Sequence, residues 1–183
     1  IIAIPLGPFP EDNANIFIYK ILFFINIEYM ESSISFSTKF GWISAFARGN
    51  KVTSIQFKEL KQKHSPSSIL YKLRKNINLY FLGKKKRINI SIELSGNLIQ
   101  KKIWKEIKKI KRGHTKSYGQ IAKTLKISPR YVGKVCGQNR HLLVIPCHRV
   151  IKADGLLGGF SAKGGINLKR KLLIFEQNES SKK

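Results

Sequence analysis

The stretch "TKSYGQIAKTLKISPRYVGKVCGQN", Thr115 to Asn139, most constrains what this chain can fold into. Tyr118, Ile121, Ala122 and Leu125 recur at helical spacing, so residues 117 to 126 are expected to form a short amphipathic helix. The run "ISPR" then breaks it. Ser128 is placed to accept a hydrogen bond from the free N–H groups of a new helix, and Pro129, with no N–H to lose, takes its first position. That second helix is expected over residues 129 to 136, burying Val132 and Val135 and stopping at Gly137. Two short helices joined so tightly make a helix-turn-helix candidate. By pattern alone the motif does not require DNA, because many helical hairpins bind nothing.

Charge gives that motif a context. Thirty-five Lys and Arg against ten Asp and Glu leave a formal charge of +25, which points to a polyanionic partner, most simply nucleic acid. Charge alone leaves a membrane surface open, and part of the lysine excess reflects a chain rich in Asn, Ile and Lys throughout. With 42% hydrophobic residues, the 183-residue chain is a folded protein of one domain or two small ones.

The amino-terminal part divides differently. The chain begins at Ile1, and its single methionine is Met30. The apolar run from Ile16 to Ile27 is too short to span a bilayer comfortably, and Glu11 and Asp12 precede it where a signal peptide would want basic residues. Residues 1 to 29 are expected to be an extension upstream of a working protein that starts at Met30, the rival being an extra structured or membrane-associated segment. No stable membrane partner is expected.

Three strands are expected next, "SISFST", "GWISAFAR" and "KVTSIQF", separated by Gly41 and by the hairpin signal Gly49-Asn50. A helix is expected over residues 69 to 81, capped by Ser67 or Ser68, and "LGKKKRINISIEL" should add a basic turn and another strand. Residues 30 to 95 thus read as a small α/β domain without chemistry of its own. A second domain is expected over 96 to 178, with 179 to 183 as a tail. It opens on a helix whose Ile99, Ile103, Ile107 and Ile110 line one side, with Gly113 as a stop. Residues 101 to 116 carry eight basic residues and one acid, so the exposed side can steer toward phosphates. It closes on a helix packed through Leu168, Leu172 and Phe175, with Glu176 one turn beyond Leu172.

Between them lies "VIPCHRV". Pro146 restricts the residue before it, so Cys147 is held in a rigid turn. His148 beside it offers a base or, once protonated, a positive partner, and either favours thiolate, although neighbouring side chains often diverge. A buried inert cysteine is the alternative, and Cys136 fits that description as a core residue. Two cysteines are too few for a disulfide scaffold, no CxxC spacing suggests zinc, and His64, His114, His141 and His148 form no cluster with both thiols. No metal or cofactor is therefore expected, and a reducing cytoplasm suits a working thiol. A thioester formed on such a sulfur can be hydrolysed; a thioether formed at saturated carbon has no such route, and an alkyl acceptor would work once.

"SYGQIA", "RYVG", Asn139, "IPCHRV" and "GGF…GG…K…LL…E" together resemble the methylated-DNA–protein-cysteine methyltransferase family, the O6-alkylguanine-DNA alkyltransferases. The resemblance is strong from Ile99 to Glu176 and covers only the layout of residues 32 to 95. It implies an α+β protein with a small strand-rich, ribonuclease-H-like amino-terminal domain and a mostly helical carboxy-terminal DNA-binding domain containing the helix-turn-helix. Its partner would be double-stranded DNA containing O6-alkylguanine, with O4-methylthymine as a second candidate, and the protein would act as a cytoplasmic monomer.

Carried over by motif, Cys147 resembles the alkyl acceptor and His148 the histidine that takes its proton through a bound water. Glu176 resembles the carboxylate that orients this histidine, and Tyr118 the phenol that approaches the guanine. Arg130 resembles the residue that fills the gap left by a flipped nucleotide, and Asn139 the tie between the helix-turn-helix and the active-site loop. Val150, Gly158, Phe160 and Ser161 match the alkyl-base pocket, and Tyr131 is a candidate for backbone contact. This chain departs from the family at several points: Tyr131 replaces a small residue, Phe160 stands where tyrosine is frequent, "RHLL" replaces a more proline-rich stretch, and "FSAKGG" is longer than the shortest form. A non-catalytic sensor of alkylated DNA is the rival reading, and a thiol hydrolase a third.

Overall fold

The computed structural model describes residues 31–61 and 65–180, so the expectations for residues 1 to 29, for a start at Met30 and for His64 lie outside the described residues. Alternating polar and apolar residues build three antiparallel strands, β1 (Glu31–Thr38), β2 (Gly41–Arg48) and β3 (Lys51–Gln56), in the order β1-β2-β3. Two-residue connections fix the register, with Thr38 opposite Gly41 and Arg48 opposite Lys51. Gly49 supplies the positive φ of 52° that the second turn requires. Ile34, Phe36, Ile43, Ala45, Val52 and Ile55 are buried, and helix α1 (Ser68–Phe81) packs across all three strands through Leu70, Leu73, Ile77 and Tyr80. Ser67 occupies the N-cap position but makes no side-chain cap; its hydroxyl instead accepts from Ser32 Oγ at 2.7 Å.

The strand expected after α1 does not form. Residues 82 to 94 touch the sheet at one parallel bridge, Val52 with Ile92, through Val52 N–H to Ser91 O and Glu93 N–H to Val52 O. The outer edge of β3 is divided: Val52 serves this segment while Ile55 N–H donates to Arg140 O at 2.7 Å, leaving no length for a longer ladder.

Helix α2 (Leu98–Lys109) begins at a capping box in which Asn97 and Gln100 satisfy each other's backbone N–H groups. Ile103, Ile107 and Ile110 are buried as the spacing implies, but Ile99 is 46% exposed. Trp104 takes its place at the interface, its Nε1–H donating to Val135 O at 3.2 Å and its ring lying 2.9 Å from where a Cβ at Gly96 would sit. After β4 (Lys116–Ser117) come α3 (Tyr118–Leu125) and α4 (Pro129–Gly137), within a residue of the expected bounds. Ser117 and Gln120 form a second capping box, Lys126 ends α3 at φ 53°, and Ser128 Oγ accepts from Tyr131 N–H to start α4. Strand β5 (Val150–Ile151) pairs in parallel with β4, and α5 (Gly165–Ser180) ends the described chain. The molecule is a small amino-terminal β-sheet domain joined to a helical carboxy-terminal domain of helix-turn-helix type. Among the described residues no helix is long and apolar enough to cross a membrane.

Candidate active site

Every residue from His141 to Val150 is buried, so the "VIPCHRV" run is an interior loop whose polar groups need internal partners. Asn139, at the end of α4, supplies several. Its Nδ2 donates to Ile145 O at 2.8 Å and to Cys147 Sγ at 3.1 Å, while its Oδ1 accepts from His141 N–H at 2.9 Å. His141 Nε2 lies 3.1 Å from Val52 O, which ties the same loop to β3. Pro146 then leads into a single 3₁₀ turn, Cys147–Arg149. The thiol is held between the helix-turn-helix and the sheet.

In front of Cys147 lies a cavity of about 590 Å³. Tyr118 from the start of α3, Arg130 from the start of α4, and Gly158, Phe160 and Ser161 from the loop before α5 also line it. Arg130 is exposed at its mouth. Gly158 is required by close approach, since a Cβ there would lie 2.5 Å from the Tyr118 hydroxyl. One residue expected in the pocket is not part of this lining: Val150 is fully buried, and its main chain is engaged by β4 and by Lys169. Tyr131, the candidate for backbone contact, is half-buried on α4.

Behind Cys147 the structure assembles a closed charge cluster. His148 Nε2 meets Glu176 Oε1 at 2.6 Å, and Arg149 donates from Nε to Glu176 Oε2 at 2.8 Å and from Nη2 to Oε1 at 3.0 Å. The hydroxyl of Tyr80, from α1, donates to Glu176 Oε1 and accepts from Arg149 Nη2. Arg149 Nη1 donates to Ile110 O at 2.6 Å. Burial pushes the Glu176 carboxyl upward, but His148 and Arg149 outweigh it and hold the group well below the usual carboxylate range. The carboxylate is thus an acceptor only, so the His148 proton sits on Nε2. Burial depresses the imidazole's own pKa, opposed by Glu176, which leaves a neutral ring. Its Nδ1 is buried and has no hydrogen-bond partner among the described residues.

Burial opposes the thiolate that the His148 neighbour suggested. Burial raises the Cys147 thiol, although the Asn139 hydrogen bond and the Lys169 charge pull in the other direction. Adjacency does not overcome this because the His148 ring points into the Glu176 cluster. Lys169 is fully buried on α5, donates from Nζ to Val150 O at 2.6 Å and lies 5.9 Å over the Tyr118 ring. Burial, then the two thiols, pushes the Tyr118 phenol up to about 12, so it stays a neutral donor. Cys136 also faces the cavity, its thiol pushed up to about 12 mainly by burial. Among the described residues no group of three His, Cys, Asp or Glu side chains could hold a metal.

Residues 98–178 match the family model "6-O-methylguanine DNA methyltransferase, DNA binding domain". A methylated-DNA–protein-cysteine methyltransferase of Sulfolobus acidocaldarius is 46% identical over 97 residues, 53% of this chain and 61% of that protein, so the match spans about three fifths of that relative. The Metallosphaera sedula protein of the same name is 35% identical over 144 residues, 78% of this chain and 90% of its own length. This chain belongs to the methylated-DNA–protein-cysteine methyltransferase family. A crystal structure of Mycobacterium tuberculosis OGT in complex with DNA superposes with a TM-score of 0.71 at 30% identity, covering 81% of this chain and 94% of that one.

Three residues of this methyltransferase-family site went unassigned from sequence: Lys169, Arg149 and Tyr80. Lys169 carried a signal, because it lies on the buried side of α5, next to Leu168 and three and seven residues before Leu172 and Glu176. Arg149 sits inside the quoted "IPCHRV" but faces away from the cavity. Tyr80 looked like one more core residue of the first domain, and nothing in its neighbourhood in the chain points to Glu176.

Proposed function

We propose that this protein repairs alkylated DNA by direct reversal, taking the methyl group of O6-methylguanine onto Cys147, with O4-methylthymine as a second substrate. The observation that carries the reading is the combination of the Cys147 thiol in the lining of an open cavity with a His–Glu–Arg cluster behind it. The exposed start of α4 would enter the minor groove, the guanine would swing out of the stack into the cavity, and Arg130 would fill the space it leaves. Approach would rest on phosphate contacts, in keeping with the +25 charge.

The electron accounting follows from the site. One water bridging Cys147 Sγ and the free Nδ1 of His148 carries the thiol proton to the imidazole, whose developing charge Glu176 stabilises. The sulfur pair forms a bond to the methyl carbon as the carbon–O6 bond breaks, and its electrons pass to the base. Tyr118, a neutral phenol in the cavity wall, donates to that base. Lys169 and Asn139 stabilise negative charge on the sulfur while it lasts. The product is a thioether, so each molecule acts once and needs no cofactor. The amino-terminal order β1-β2-β3-α1 supports a ribonuclease-H-like domain, and two free thiols support a reducing cytoplasm as the place of action.

The test incubates duplex DNA bearing labelled O6-methylguanine with the reduced protein and maps the label by peptide mass. One equivalent on the Cys147 peptide, lost in Cys147→Ala, is expected. Repeated turnover would favour a thiol hydrolase, and binding without transfer a sensor.

A further inference from the structure

We propose that Tyr80, contributed by the amino-terminal domain, is a positioning residue for this centre: its hydroxyl sets the Glu176 oxygen that orients His148. The inference rests on the alkyl-transfer reading and assigns the first domain a part in the reaction. Glu176 Oε1 accepts from three groups, His148 Nε2, Arg149 Nη2 and the Tyr80 hydroxyl, and Arg149 Nη2 also donates to the Tyr80 oxygen. Tyr80 and Arg149 therefore close a ring around the one oxygen that meets the imidazole. Packing alone does not call for this hydroxyl. At 1% exposure a phenylalanine would fill the same space without a polar group to satisfy.

The body of Tyr80 is clamped so that its hydroxyl has one direction. The Arg112 guanidinium lies 4.6 Å over its ring and 4.7 Å over that of Phe175, and Arg112 Nη1 donates to Tyr80 O at 3.1 Å and to Lys85 O at 2.9 Å. Phe81 and Phe175 pack at tilted or edge angles with ring centroids 5.5 and 6.3 Å away. The last turn of α1 is thereby fastened to α5 at the level of Glu176.

The consequence is chemical. An oxygen already shared with two other donors pulls less on the His148 proton, so Nε2–H is held in place without the ring being drawn toward imidazolium. The groups facing His148 are Glu176 and Lys169 from α5, Arg149 from its own turn, Phe160 edge-on at 6.5 Å, and Tyr80 through Glu176. Tyr80 is the one member drawn from the sheet domain.

The experiment follows the His148 imidazole by ¹⁵N NMR across pH, alongside the pH profile of single-turnover alkyl transfer. It compares the unmodified chain, Tyr80→Phe, and a chain with 3-fluorotyrosine at position 80. Losing the hydroxyl leaves Oε1 more basic, so the His148 midpoint and the acidic limb of the rate profile should both rise by roughly 0.5–1 pH unit. Fluorination makes the phenol a stronger donor and should move both down. If Tyr80→Phe fails to fold, the fluorinated chain carries the test with its packing intact. An unchanged His148 midpoint in the folded variants, or a rate lowered equally at every pH, overturns the proposal by reducing Tyr80 to a structural role. The NMR arm needs no substrate, so an unmodified chain that moves no alkyl group counts against the functional reading and not against the Tyr80–Glu176–His148 coupling.

Discussion

The two sides of the Cys147 turn are built on opposite principles. The cavity side is open, and its groups come from short neighbouring motifs: Tyr118 at the start of α3, Arg130 at the start of α4, Gly158 and Phe160 before α5. The rear is closed, and Tyr80, Arg149 and Glu176 meet there from points 96 residues apart in the chain. A wall that admits a ligand can exchange a side chain at the cost of a contact. A buried ion cluster cannot, because its donors and acceptors share one another and the low dielectric penalises any that is lost.

The largest expected effect therefore lies at the rear. Glu176→Ala leaves the buried Arg149 without its counter-charge and should destabilise the fold by about 3–5 kcal/mol, measured by urea unfolding. Acid should act in the same direction. The Glu176 pKa is lowered in the folded chain, so its contribution is complete above the unfolded carboxylate value and is lost as pH falls through the folded one. A stability curve flat from pH 6 to pH 3 would contradict the assigned cluster.

Asn139 joins the two sides and should rank second. Asn139→Ala leaves His141 N–H without its acceptor, and Ile145 O with only the Cys147 N–H, inside a buried loop, at a cost of about 1–3 kcal/mol. It should also slow alkyl transfer, since the Sγ contact is removed. A loss confined to stability would make Asn139 a tie and nothing more.

The same contrast explains what could be read in advance. Helices α3 and α4 were legible to within a residue because their caps, Ser117 and Ser128 with Pro129, are local features. The three strands were legible from alternation and the Gly49 turn. Cys147 and His148 stood out from the residues of "VIPCHRV" themselves, whereas roles for Tyr118 and Glu176 came only with the resembling motif, since spacing alone does not say that residue 176 returns to residue 148. Tyr80 was not legible at all: its partner is set by how α1 docks, which depends on the aromatic cluster around Phe175 and Arg112. The strand expected near Ile92 failed for a similar reason, because the β3 edge it needed is shared with Arg140.

Lys169→Met separates charge from packing between the two sides. Removing a buried ammonium and keeping the volume should change stability by less than about 1 kcal/mol. The thiol loses a stabilising charge, so transfer at neutral pH should fall by roughly tenfold, and the alkaline limb of the rate profile should move up. A transfer rate equal to that of the unmodified chain would leave Lys169 as a peg for Val150 O.

Arg130→Ala should disturb the fold least, by within about 0.5 kcal/mol, because the side chain is exposed at the start of α4. Its effect should appear only with DNA. A flipped base leaves a gap that Arg130 would fill, so transfer from O6-methylguanine in duplex should slow by roughly one to two orders of magnitude. Free O6-benzylguanine, which needs no extrusion, should react with Cys147 at nearly the original rate. Equal losses on both substrates would place Arg130 in the chemistry of the cavity and remove the distinction between a face that delivers the base and a cluster that prepares the sulfur.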